Sequence, residues 1–245
     1  MINVHDLKKS FYPKRGSSEI IHAVRGVSFT IKPGEVLGLI GPSGCGKSTV
    51  ARLIAGLIQP DEGSAESVGR IGFVSQDPYS AISPVMRVGN IVAEPLRWRK
   101  NKSADDLTAV STALEKVKLD YDKFKNRLPR ELSGGERQRV SLARAFIAAE
   151  GVLILDEPVS MLDYDVKLEI TDILRGLVMD SGCAVLLISH DISFVREMAT
   201  HIVVMQQGLI IETGTPEQIC GNPQQELTKK LVLASTDLKT YLKSM

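Results

Sequence analysis

Val36-Leu37-Gly38-Leu39-Ile40-Gly41-Pro42-Ser43-Gly44-Cys45-Gly46-Lys47-Ser48-Thr49 is the stretch that decides the fold. The run from Val36 to Ile40 reads as a buried strand, and residues 47–58 carry the apolar spacing of a helix. Between them stands G-x-x-x-x-G-K-[S/T], with the strand before and the helix after that this motif requires. Glycines let backbone N–H groups curl around phosphate oxygens that side chains would shut out. The helix starting near Lys47 adds the positive end of its dipole. Lys47 would then reach the β- and γ-phosphates of a nucleotide, and the Ser48 hydroxyl would hold Mg²⁺. Taken alone, the motif says nucleotide and nothing about which machine uses it.

Working outward, further short apolar runs read as buried strands: residues 71–74, 152–155, 184–188 and 202–205. Amphipathic helical stretches lie between several of them, at residues 166–178 and 192–198. Strands alternating with helices imply an α/β fold with a mostly parallel, buried sheet. Residues 20–31 look like an additional β portion. From about 88 to 149 the pattern changes to helices (104–118 and 134–148) without a strand, which reads as a helical subdomain inserted in the core.

The chain has 245 residues, 43% of them hydrophobic, enough for a substantial core. Thirty Lys and Arg stand against 29 Asp and Glu, so the basic excess of a nucleic-acid binder is missing. The N-terminus has no signal-peptide core, and no apolar run approaches the ~20 residues that span a bilayer. Cys45, Cys183 and Cys220 are widely spaced, as are the four histidines, so neither a disulfide framework nor a zinc site is expected. Reducing cytosol is the expected compartment.

Val152-Leu153-Ile154-Leu155 runs into Asp156-Glu157-Pro158. Two carboxylates at the carboxyl end of a buried strand stand where open α/β sheets bind ligands. Side chains alternate along a strand, so the two can do different jobs. Asp156 would support Mg²⁺, and Glu157 would polarise an attacking water as general base. Without the phosphate loop on the same chain, the pair would be an ordinary solvated loop start.

Leu132-Ser133-Gly134-Gly135-Glu136 precedes a long helix. Ser133 and Glu136 fit a capping box. That leaves Gly134 and Gly135 unexplained, since each costs ~1 kcal/mol relative to alanine in a helix. A bare backbone at a helix N-terminus suits close approach to an anion, so a second phosphate group is the expected ligand. A second phosphate site on one chain suggests two chains sharing nucleotides.

Leu132-Ser133-Gly134-Gly135-Glu136 resembles the signature motif of the ABC ATPases, with Glu136 where Gln is usual. Other landmarks follow in that family's order. Phe11, with Tyr12 beside it, resembles the aromatic that stacks on adenine. Gln76 in Val74-Ser75-Gln76-Asp77-Pro78 matches the glutamine that touches Mg²⁺ and water and senses a partner. Ser160-Met161-Leu162-Asp163 looks like the D-loop, making Asp163 a further nucleotide-site residue, and His190 in Ile188-Ser189-His190-Asp191 matches the switch histidine at the γ-phosphate. Each has a plain explanation singly, as polar loop, satisfied histidine or core aromatic; the ordered set does not.

The resemblance implies a P-loop NTPase of the RecA-like kind, with a single ABC ATPase domain over residues 1–234. The α/β core would occupy about 1–87 and 150–220, the helical insertion about 88–149, and a helical tail 221–245. It implies ATP and Mg²⁺ as cofactors, and a second ABC ATPase subunit, identical or homologous, as dimer partner. Residues 76–84 and 88–96 further resemble the prokaryotic importers of oligopeptides, dipeptides and nickel. Transmembrane permease subunits, indirectly a substrate-binding protein, and a peripheral place on the cytoplasmic face of the membrane are implied in turn; nucleic acid is not. Residues 79–96 would dock the permease, unless Val92 only packs inside the insertion. Asn222-Pro223-Gln224-Gln225-Glu226-Leu227 departs from the group's usual tail, and residues 63–70 are shorter than usual, so the cargo stays open. The basic run at residues 97–102 is either a solvated helix end or a contact with headgroups or a partner loop. The alternative reading is a soluble ABC ATPase with a non-transport partner, although such chains carry tandem cassettes or a long coiled coil.

Overall fold

A computed structural model describes residues 1–12, 20–77, 82–98, 106–160 and 162–243. Residues 78–81 of the importer-like loop, residues 99–102 of the basic run, and Met161 lie outside these. In chain order the strands are β1 (Ile2–Phe11), β2 (Ile21–Ile31), β3 (Val36–Ile40), β4 (Glu62–Ser67), β5 (Ile71–Val74), β6 (Val152–Asp156), β7 (Ala184–Ile188), β8 (His201–Gln206) and β9 (Leu209–Gly214). The helices are α1 (Lys47–Ile54), α2 (Val88–Ala93), α3 (Asp106–Lys116), α4 (Tyr121–Phe124), α5 (Gly134–Ala148), α6 (Tyr164–Ser181), α7 (Ile192–Met198), α8 (Pro216–Gly221) and α9 (Glu226–Lys243). They fall into two compact units, one of Met1–Val68 with Ala184–Met245 and one of Gly69–Cys183.

In the first unit β3 lies between β7 and β8, parallel to both, and β9 adds an antiparallel edge to β8. Every residue of β3 and β7 is buried, which is why both read as unbroken apolar runs rather than alternating ones. Gly38 makes the packing possible: a Cβ there would stand 2.2 Å from Val195 Cγ1 of α7. A separate antiparallel sheet runs β2-β1-β4. The sequence pattern missed β1 and β4. In β1 an irregular register between Val4 and Leu7 breaks the two-residue period, with Asp6 at φ 42°. β4 is a largely exposed, polar edge strand, Glu-Gly-Ser-Ala-Glu-Ser, with no apolar alternation to read. The helix expected over residues 47–58 stops at Ile54, because Gly56 turns left-handed at φ +68° just beyond its cap. The divergent tail is anchored by Glu212 of β9, whose carboxylate accepts from the backbone N–H of Gln224 at 2.7 Å and of Gln225 at 3.1 Å.

In the second unit β5 and β6 pair in parallel, Ile71 opposite Val152 and Val74 opposite Leu155. α5 lies tightly on β5, since a Cβ at Gly72 would meet the Ala145 carbonyl oxygen at 2.2 Å. Ile91, Val92, Leu96, Val110, Leu114 and Leu142 are buried among the helices. Val92 is completely buried, so the packing alternative holds and this residue is not part of a docking surface. Among the described residues no helix is long and apolar enough to cross a membrane.

Candidate functional site

The first unit builds the phosphate loop between β3 and α1. Gly41, Gly44 and Gly46 have φ of 151°, 78° and 109°. Two of them are also sterically required: a Cβ at Gly41 would lie 2.2 Å from the Met205 carbonyl oxygen, and one at Gly46 2.1 Å from that of Ala23. Pro42, Ser43 and Gly44 are exposed at the tip, while Cys45 is buried beneath and Ser48 and Thr49 are half-buried. Lys47 is only 6% exposed, and its Nζ donates to the carbonyls of Gly41 at 2.8 Å and Pro42 at 3.0 Å. No side chain caps α1 at Gly46. A helix start capped by glycine leaves room for an anion at its backbone N–H groups. Burial pushes the Cys45 thiol above its ordinary pKa, against the pull of Lys47.

β7 carries His190 to the same edge. Leu39 lies opposite Ile188 in the parallel register, so the loops after β3 and β7 emerge side by side. His190 is exposed between buried Ser189 and the Asp191 cap of α7, whose carboxylate accepts from the N–H of Ser193 and Phe194 at 2.9 and 3.2 Å. Phe11 ends β1, opposite Ile21 and two residues from Ala23, whose carbonyl abuts Gly46. Phe11 and Tyr12 are both exposed. Asp61 steadies this strand end, accepting from Ser10 N at 2.6 Å and from Lys9 Nζ at 2.7 Å, and Lys9 sits 5.9 Å from the Phe11 ring centre. Those two donors, Lys9 foremost, hold the Asp61 carboxyl below the usual range.

The second unit gathers Gln76, Asp156 and Glu157 by the same logic, since β5 and β6 are parallel neighbours and both end at one edge. Asp156 is the last residue of β6 and is buried, whereas Gln76 is exposed. Glu157 has φ 51°, in the left-handed region that non-glycine residues rarely adopt. Ser133 and Glu136 form the expected capping box, Ser133 Oγ accepting from Glu136 N at 3.2 Å and Glu136 Oε2 from Ser133 N at 2.7 Å. Gly135 has a reason within the fold as well: a Cβ there would lie 2.6 Å from Val166 Cγ1 on α6. Asp163 is the exposed N-cap of α6, with no side-chain cap bond of its own. The sequence reading passed over Gln138, a buried amide in α5 that donates to the Pro158 carbonyl at 2.7 Å. The signal was present in the helix period, which puts residue 138 on the face of Gly135 and Leu142.

The family model described as ABC transporter matches residues 24–160, more than half of the chain, from β2 through the phosphate loop to the carboxylates at the end of β6. The dipeptide transport ATP-binding protein DppF of Haemophilus influenzae is 35% identical, over 99% of this chain and 80% of that one. The chain belongs to the ABC transporter family of ATP-binding cassettes. The cassette is accordingly an ATP-binding ATPase of α/β fold. It is also 38% identical to the peptidoglycan transport ATP-binding protein YejF of Agrobacterium fabrum, over 89% of its own length but less than half, 43%, of that longer protein. Among solved structures, the dimeric post-hydrolysis state of the ATP-binding cassette MJ0796 bound to ADP and Pi matches with a TM-score of 0.78 at 26% identity. That match covers 88% of this cassette and 99% of that chain.

Proposed function

We propose that this cassette energises a membrane importer of peptides, working as one of two ATPase subunits on the cytoplasmic face of permease subunits fed by a substrate-binding protein. The observation that carries the reading is that its relatives are named for dipeptide, D,D-dipeptide and oligopeptide transport at 33–37% identity. Nickel or a metal chelate is the cargo that the importer-like sequence leaves as the alternative.

In this reading Lys47 and the N–H groups of the loop at residues 41–49 bind the β- and γ-phosphates, and Phe11 or Tyr12 stacks on adenine. The strand-end carboxylate of Asp156, the Ser48 hydroxyl and the Gln76 amide are oxygen donors of the kind a hard divalent cation takes. Buried Asp156 at its strand end suits a divalent cation, and the side-chain-free cradle at Gly41 and Gly46 suits a phosphate group. Mg²⁺ would neutralise charge on the phosphates when bound. Glu157 takes the proton of the attacking water, and His190 donates to the γ-phosphate. Ser133, Gly134, Gly135, Glu136 and Asp163 act on the nucleotide held by the second cassette. Hydrolysis removes the γ-phosphate that joins the two cassettes, and reopening drives the permease.

The test is ATP turnover in vesicles containing the cassette, its permease subunits and the binding protein. Dipeptides or oligopeptides should raise turnover and be imported, while nickel should not. Turnover indifferent to every ligand, with a cassette that does not stay with the permease, would favour the soluble alternative.

A further inference from the structure

Gln138 is in the second turn of α5, on the buried face, 3% exposed. Its amide reaches a backbone carbonyl twenty residues on: Nε2 donates to the Pro158 oxygen at 2.7 Å. Burying an amide is unfavourable unless its hydrogen bonds are made, and an apolar side chain would fill the same volume without that demand. The position it holds explains the choice. Glu157 is left-handed at φ 51°, and it precedes a proline, whose ring disfavours helical conformations in the residue before it. A backbone held this way persists only when its surroundings fix it. The Glu157 carbonyl accepts from Ser160 N at 3.3 Å and Ser160 Oγ at 3.1 Å, and Gln138 holds the next carbonyl along. The peptide planes that follow Glu157 are therefore pinned from both sides.

We propose that Gln138 is a positioning residue for hydrolysis: its amide holds the Pro158 carbonyl and so keeps Glu157 in the strained backbone that aims its carboxylate. The proposal rests on the reading of Glu157 as general base. It also ties the helix that begins at Ser133 to the carboxylate of the same chain, so a pull on that helix is felt at Glu157.

Phosphate release by the full-length chain is measured against Mg-ATP concentration for the wild type, Gln138→Met, Glu157→Gln and the double variant. Gln138→Met should leave KM within about twofold and lower kcat by roughly 10–100-fold, the scale of a misplaced reacting group. The double variant should be no slower than Glu157→Gln alone, because the group being positioned is already gone. Wild-type kcat in Gln138→Met, or a double variant whose loss is the product of the single losses, overturns the proposal and leaves the base assignment standing. Wild-type turnover in Glu157→Gln overturns both. Gln138→Glu keeps the side chain's size and guards against a folding defect in the first variant. Its carboxyl can donate to Pro158 only when protonated, so its kcat relative to wild type should rise as pH is lowered. Its thermal midpoint should recover toward the wild-type value over the same fall in pH, because burial disfavours the ionised form. A ratio flat in pH overturns the proposal.

Discussion

The ammonium of Lys47 donates to the carbonyl oxygen of Gly41 across 2.8 Å, tying the end of the phosphate loop back to its first residue. A charged donor on a buried carbonyl is worth ~1.5–3 kcal/mol net, so Lys47 stabilises the loop it serves. Lys47→Ala should therefore do two things. It should lower the thermal midpoint without ligand, and it should cut turnover by at least ~10²-fold, the loss expected when a preorganised charge on the transferring group is removed. Calorimetric titration with Mg-ATP should show weakened binding. Wild-type hydrolysis in this variant would remove the phosphate-loop assignment.

The loop glycines should differ among themselves. Gly44 has φ 78° but open space around its Cβ position, whereas Gly46 has φ 109° and a carbonyl oxygen 2.1 Å away. Gly44→Ala should cost only the left-handed conformation, ~1–2 kcal/mol. Gly46→Ala has to displace the backbone of β2 as well, and its midpoint should fall clearly further. Equal melting of the two variants would show that Ala23 yields without strain.

How legible these features were depended on whether a side chain or a register carried them. Parallel buried strands announce themselves as apolar runs, so β3, β5, β6, β7 and β8 could be read from the sequence, as could α5 to the residue. The phosphate loop was legible because its chemistry needs fixed residue types at fixed spacing. β1 hid because its bulge near Asp6 throws the alternation out of phase, and β4 because an exposed edge needs no apolar residues. The packing reason for Gly135 was invisible, since its neighbour Val166 is thirty-one residues away in sequence and only the fold brings the two together. Gln138 could have been suspected from the helix period, but its acceptor is a carbonyl, which no sequence pattern marks.

Glu157 should reveal its strain through a pair of substitutions that both delete the carboxylate. Glu157→Ala and Glu157→Gly lose the same side-chain contacts, but only glycine adopts φ 51° freely. Glu157→Gly should melt higher than Glu157→Ala by the equivalent of ~1 kcal/mol, the cost of a left-handed L-residue less glycine's entropy in the unfolded chain. Both should bind ATP and hydrolyse it ~10²–10⁴-fold more slowly than wild type, as for loss of a general base. A more stable alanine variant would mean that the loop relaxes once the carboxylate is gone.

Gly135 has two competing reasons to be glycine, and one set of variants separates them. Its Cβ position lies 2.6 Å from Val166 Cγ1, so Gly135→Ala should overpack α5 against α6 and cost ~1–3 kcal/mol. Val166→Ala removes the obstructing methyls, and the Gly135→Ala/Val166→Ala pair should melt close to Val166→Ala alone. If packing is the whole reason, the pair should also recover hydrolysis. If the bare backbone must admit a phosphate held by a second cassette, the pair should be stable and still inactive, and this is the outcome expected. Mixing completes the test. Gly135→Asp sets a carboxylate against that phosphate, where an isolated cassette still binds ATP but two cannot close on it. A mixture with Lys47→Ala contains dimers in which one site has an intact loop from one chain and an intact Ser133–Glu136 turn from the other. Hydrolysis should reappear on mixing, though neither protein turns over alone. If it stays absent while size-exclusion chromatography shows mixed dimers in Mg-ATP, the two chains do not share a site, and Gly135 is glycine for the sake of Val166.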